Sequence, residues 1–176
     1  EDLISVADAG TLDGLLRQRV PRSRDLVAYQ RYDGSTKSWQ ALSWSEVDAQ
    51  VGRWRTAIAA EDFDPGVRAA LQVRNSVEWV YFDQAVLAEG LVSVPLYTED
   101  RPDNVAYILE DSATRLLLVH SLAQWENLRP SLQGNQALQR VLVLEKPSDE
   151  ASGSQALATD ARLRFVDDWL PQAGVQ

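Results

Sequence analysis

The sequence predicts an α/β fold, a mostly parallel sheet with crossover helices, preceded by a helix and a β-hairpin. Three observations carry this. Short apolar runs at Val67–Val73, Leu91–Leu96, Leu116–His120 and Val141–Leu144 alternate with segments long enough for helices, namely Asn75–Glu89, Pro102–Asp111 and Ser121–Leu132. The runs are apolar almost throughout, as strands covered on both faces are, and repeated strand–helix–strand units imply parallel pairing through right-handed crossovers. Helix-start signatures also stand where the alternation needs them. Ser43-Trp44-Ser45-Glu46 and Asn75-Ser76-Val77-Glu78 both have capping-box spacing, and Gly90 follows the second predicted helix, where a left-handed stop is wanted.

In chain order, residues 1–43 form a preamble. Thr11 precedes Leu12, Leu15, Leu16 and Val20 on one helical face, with Pro21 expected to end the helix. Leu26–Tyr32 and Lys37–Leu42 flank Asp33-Gly34-Ser35 and predict a hairpin. Val47, Val51, Trp54 and Ile58 then recur at helical steps until Asp62-Phe63-Asp64-Pro65-Gly66, and residues 44–145 are expected to form the α/β subdomain. Lys146–Asp160 has no apolar period and reads as a flexible loop; residues 161–176 read as the truncated start of a next unit.

Composition narrows the function classes. With 45% apolar and 24% charged residues the chain can bury a core. A net charge of −9 without a basic cluster argues against nucleic acid as a partner, since such a surface must displace phosphate counterions. There is no Cys, which removes disulfides and thiol chemistry, and a single His leaves no multi-histidine metal site. No apolar run has the length of a transmembrane segment, and there is no Met, the chain opening at Glu1. A soluble, cytoplasmic fragment is the expectation.

Local chemistry is sparse. Neither a Gly-x-Gly-x-x-Gly fingerprint, nor a phosphate loop of the Gly-x4-Gly-Lys-Ser/Thr type, nor a Gly-x-Ser-x-Gly elbow occurs. His120 ends an apolar strand with no nucleophile nearby in sequence and reads as structural. The pairs Asp62/Asp64 and Asp167/Asp168 adjoin turns or helix ends and read as caps. Trp44, Trp54 and Trp79 fall on amphipathic helices and read as core. The best local candidate is Val73-Arg74-Asn75-Ser76, at the carboxyl end of a strand and the head of a helix, where α/β proteins bind ligands; Asn75 is also explained as a helix cap.

Taken together, Ser43-Trp44-Ser45-Glu46-Val47, Pro65 through Leu71, Arg74 through Val80, Ala88-Glu89-Gly90, Val94-Pro95-Leu96-Tyr97 and Asn104 through Ser112 resemble, in order and spacing, the amino-terminal part of the AMP-forming acyl-CoA synthetases. The likeness runs over residues 11–145 and is strongest to the long-chain fatty acid branch of the adenylate-forming superfamily. The resemblance implies a parent ligase that activates a fatty acid with ATP and Mg2+ to acyl-AMP, then transfers the acyl group to coenzyme A, in fatty acid and lipid metabolism.

The family's phosphate-handling loop, adenine-contacting stretch, ribose-binding Asp and catalytic Lys have no counterpart in these 176 residues. No catalytic, cofactor-binding or metal residue is therefore carried over, and the chain alone is expected to be inactive and to bind no cofactor tightly. The implied partners are the rest of the parent chain, its fatty acid and a second copy in a homodimer; the implied location is cytoplasmic, peripheral to the membrane at most. A free-standing, non-catalytic α/β binding or oligomerisation module is the alternative.

Overall fold

The computed structural model describes residues 2–171. The last five residues of the segment 161–176, read above as the start of a next unit, lie outside the described residues, as does Glu1 of the preamble. The chain divides into two compact units, residues 1–63 with 75–90, and residues 64–74 with 91–176. The helix that follows the hairpin and the first crossover helix both fall in the first unit.

The first unit contains α1 (Val6–Ala9), α2 (Leu12–Ser23), an antiparallel hairpin of β1 (Val27–Asp33) and β2 (Ser38–Ser43), α3 (Trp44–Ala59) and α4 (Val77–Ala88). Thr11 caps α2, its hydroxyl accepting from the Gly14 N–H at 3.3 Å. Pro21 does not end this helix, which runs on to Ser23, although proline there removes one i→i−4 donor from the ladder. The Ser43 capping box is formed in full. Its hydroxyl accepts from the Glu46 N–H at 3.3 Å, while the Glu46 carboxylate accepts from the Ser43 N–H at 2.8 Å, which holds that carboxyl below its usual range. Burial of Val47, Val51, Trp54 and Ile58 confirms the helical stripe read from the sequence. The α3 stripe packs on α4, where Trp54 meets Phe82 edge to face, with ring centroids 5.9 Å apart.

The second unit is a five-stranded parallel sheet in the order β4-β3-β5-β6-β7, from β3 (Arg68–Gln72), β4 (Val92–Pro95), β5 (Leu116–Ser121), β6 (Arg140–Glu145) and β7 (Leu163–Phe165). With it run α5 (Pro102–Asp111), α6 (Leu122–Leu128) continued by a 3-10 turn at Arg129–Leu132, α7 (Glu150–Thr159) and α8 (Val166–Trp169). The three inner strands β3, β5 and β6 are buried through Ala69–Leu71, Leu116–Val119 and Val141–Val143, as their apolar runs require, whereas Val92 on edge strand β4 is exposed. Val105, Leu109, Leu122, Trp125 and Leu128 bury themselves with this sheet.

The flexible loop expected over residues 146–160 is corrected. Residues Glu150–Thr159 of it are α7, headed by Asp149, whose carboxylate accepts from the Ala151 and Ser152 N–H groups at 3.1 and 3.2 Å. The helix hides from a periodicity search because its buried face is made by a glycine. A Cβ on Gly153 would meet Pro147 Cγ at 3.3 Å and Phe165 Cε2 at 3.5 Å, so close approach here substitutes for apolar side chains.

Candidate functional site

The carboxyl edge of the parallel sheet gathers the polar groups that a ligand would meet. Its frame is two glutamines. Gln72, the last residue of β3 and buried, donates from Nε2 to the Tyr97 carbonyl at 3.1 Å. Gln124 on α6 donates from Nε2 to the Gln72 carbonyl at 3.0 Å and accepts from the His120 N–H at 2.8 Å. The ends of β3 and β5 and the segment after β4 are thereby tied together by side chains where the ladder stops, so their buried backbone groups stay satisfied. Neither residue was singled out in the sequence. The available signal was Gln72 itself, a polar residue inside an apolar strand.

Around that frame stand close pairings of titratable side chains that water reaches. His120 Nε2 lies 3.4 Å from Glu145 Oε1 across the ends of β5 and β6, and Lys146 Nζ lies 2.5 Å from Asp168 Oδ1. Arg74 and Glu99 are 3.8 Å apart and almost fully exposed, so their attraction is weak. The side chain facing His120 is thus a carboxylate.

The turn Val73-Arg74-Asn75-Ser76 joins β3 to α4. Val73 and Arg74 follow β3, whose last residue is Gln72, and Asn75 and Ser76 lead into α4, which begins at Val77. The helix cap is Ser76, whose hydroxyl accepts from the Trp79 N–H at 3.2 Å, and this corrects the reading of Asn75 as the cap. Asp62 occupies a left-handed turn position with φ 55°, and Asp64 is exposed. Asp167 and Asp168 lie in the first turn of α8, where their charge complements the helix N-terminus. Trp54 is buried, while Trp44 and Trp79 are half-buried, Trp44 leaning on Tyr29 with centroids 6.1 Å apart.

Among the described residues no three His, Cys, Asp or Glu side chains converge as a metal shell would require, so none is assigned to Mg2+. No Gly-rich loop accompanies the strand ends to hold a triphosphate either. These residues do not fit the Mg-ATP of an adenylation, and no chemical step is derived through them. What the edge provides is a rigid, solvated rim on a buried sheet.

Residues 16–170 match the AMP-binding enzyme family. The chain belongs to that family. Within it, the chain is 29% identical over 98 residues to the long-chain fatty acid CoA ligase FadD15 of Mycobacterium bovis, a match covering 55% of this chain and 16% of the ligase. It is 31% identical over 98 residues to the 3-hydroxybenzoate CoA ligase of Aromatoleum sp., covering 56% of this chain and 18% of that enzyme. The A-PCP didomain of the carboxylic acid reductase of Segniliparus rugosus, solved in complex with AMP, superposes with a TM-score of 0.76 at 19% identity, over 97% of this chain and 29% of its own. The chain therefore spans less than a third of each of these proteins and represents an amino-terminal part of the family's architecture. No helix among the described residues is long and apolar enough to cross a membrane.

Proposed function

We propose that this chain is the amino-terminal scaffold of a ligase that activates a long-chain fatty acid with ATP to acyl-AMP and passes the acyl group to coenzyme A. The family match over residues 16–170 carries the reading, and the likeness to a long-chain fatty acid ligase supports the choice of acid. Carboxylates are poor electrophiles, and adenylation gives them a good leaving group. The contribution of these residues is structural. The two-glutamine frame fixes the carboxyl ends of β3 and β5, against which the remainder of the polypeptide would place its nucleotide loop, its magnesium ligands and its mobile domain. The parent is read as a cytoplasmic enzyme that meets the membrane only through its substrate.

Pyrophosphate release with palmitate, ATP, Mg2+ and coenzyme A tests both halves of this. The 176-residue chain should release none above the buffer blank, and clear turnover would overturn its role as scaffold. The complete product of the same reading frame should form palmitoyl-CoA. Faster turnover of 3-hydroxybenzoate would instead assign the acid to the aromatic class, which the second ligase relative uses.

A further inference from the structure

The amino edge of the parallel sheet, opposite the carboxyl edge described above, carries arginine at the head of strand after strand. Arg68 opens β3, Arg115 immediately precedes β5, Arg140 opens β6 and Arg162 immediately precedes β7. They are neighbours through the backbone. The Arg115 N–H donates to the Arg68 carbonyl at 3.0 Å, the Arg140 N–H to the Arg115 carbonyl at 3.0 Å, and the Val141 N–H to the Arg162 carbonyl at 3.0 Å. Like charges on adjacent strands repel, and in a chain of net charge −9 an acidic counterpart would be easily supplied. At one end of the row it is: Asp160 accepts twice from Arg162, at 2.9 Å each, which holds the Asp160 carboxyl below its usual range.

At the other end it is not. Arg68 donates from Nε to the Ser112 carbonyl and from Nη1 to the Gly66 carbonyl at 3.2 Å, contacts that position its guanidinium without neutralising it. Arg115 has no carboxylate partner among the described residues. Both arginines line one cavity of about 540 Å3, walled by the turn before β3, the left-handed turn at Ala113 (φ 48°) and the loop that brings Gln136 and Gln139 to β6. That loop is held in shape by Asn135, whose Oδ1 accepts from the Ala137 and Leu138 N–H groups at 3.0 Å each. One acidic side chain, the exposed Asp64, shares the lining.

We propose that this cavity binds the phosphate group of a small organic phosphate. Guanidinium forks match tetrahedral oxyanions, and two of them set on neighbouring strands can address different oxygens of one dianion. Gln136 and Gln139, which also line the cavity, can add neutral amide donors, and the volume, within the range of small-molecule sites, leaves room for the esterified group. Asp64 limits the affinity by its like charge.

The test follows the Arg115 side-chain Nε–H resonance of the 176-residue chain during titration with glycerol 3-phosphate and with inorganic phosphate, at constant ionic strength. Both should shift it saturably, the ester more tightly, and sodium chloride over the same range should not. Arg115→Gln should weaken glycerol 3-phosphate binding, measured calorimetrically, by about tenfold or more; Arg115→Lys, which keeps the charge and loses the fork, should fall between. Asp64→Asn should tighten it about two- to threefold, as loss of a nearby like charge requires. Equal responses to chloride, unchanged affinity in Arg115→Gln, or no tightening in Asp64→Asn would each overturn the site. Should Arg115→Gln fail to fold, the Asp64→Asn result decides.

Discussion

Two residues show how position decides what a side chain is worth. Trp54 is 2% exposed and fills the space between α3 and α4, whereas Trp39 is 66% exposed and touches Tyr32 edge to face on the hairpin. Trp54→Ala should lower the unfolding free energy by about 3–5 kcal/mol, the cost of deleting a buried aromatic and leaving a cavity. Trp39→Ala should stay within about 0.5 kcal/mol, as surface substitutions usually do. Urea denaturation of the two variants checks the pair, and similar losses would contradict the burial assigned to them. Asp33 makes a different point. Its carboxylate accepts from the Ser35 hydroxyl at 2.6 Å and the Ser35 N–H at 2.9 Å, and these bonds lower its pKa to about 2 although it lies in water. A carboxyl depressed in the folded state stabilises the fold above the ordinary carboxylate range and loses that contribution as pH falls through about 2. NMR titration of the Asp33 carboxyl carbon should give a midpoint of about 2, and Ser35→Ala should move it up toward the usual value of 3.8. An ordinary midpoint in the unaltered chain would refute the turn's hydrogen bonding.

At the scale of elements, caps carry more information than periodicity. The Ser43 box was legible because both its members are polar and spaced for reciprocal bonding, and nothing nearby competes with them. At α4 two candidates adjoin, and sequence spacing alone favours Asn75, with Glu78 three residues on. The structure selects Ser76, because the backbone is extended there (φ −155°, ψ 174°) and its hydroxyl reaches the Trp79 N–H. Ser76→Ala should therefore cost about 1 kcal/mol and Asn75→Ala a few tenths at most, read from thermal or urea unfolding. The reverse order would restore Asn75 as the cap. The hidden helix α7 was missed for a complementary reason. A stripe of large apolar residues is the usual sign of a buried helical face, and Gly153 buries by having no side chain at all, a fact that exists only once Pro147 and Phe165 lie against it.

For the whole molecule, the order of the strands governs how the sheet opens. β5 lies between β3 and β6, and Leu116 through Val119 are fully buried; β4 and β7 have one strand neighbour each. Native-state hydrogen exchange should find the slowest amides at Leu117–Val119 and distinctly faster ones at Val94 and Phe165, since edge strands open without breaking the centre. Edge amides as slow as those of β5 would mean that the described edges are covered in solution.

The sequence by itself determined the parallel α/β class, the hairpin, the family and most strand positions, because apolar run length, turn chemistry and capping are local properties that neighbouring residues settle among themselves. Only the tertiary structure decided the division that places α3 and α4 with the hairpin, the cap at Ser76, the helix built on Gly153, the Gln72–Gln124 frame and the pairing of Arg68 with Arg115 on one cavity. Those depend on which strands become neighbours. Residues 52 positions apart share a hydrogen bond here because β3 and β5 adjoin, and no local pattern encodes that adjacency.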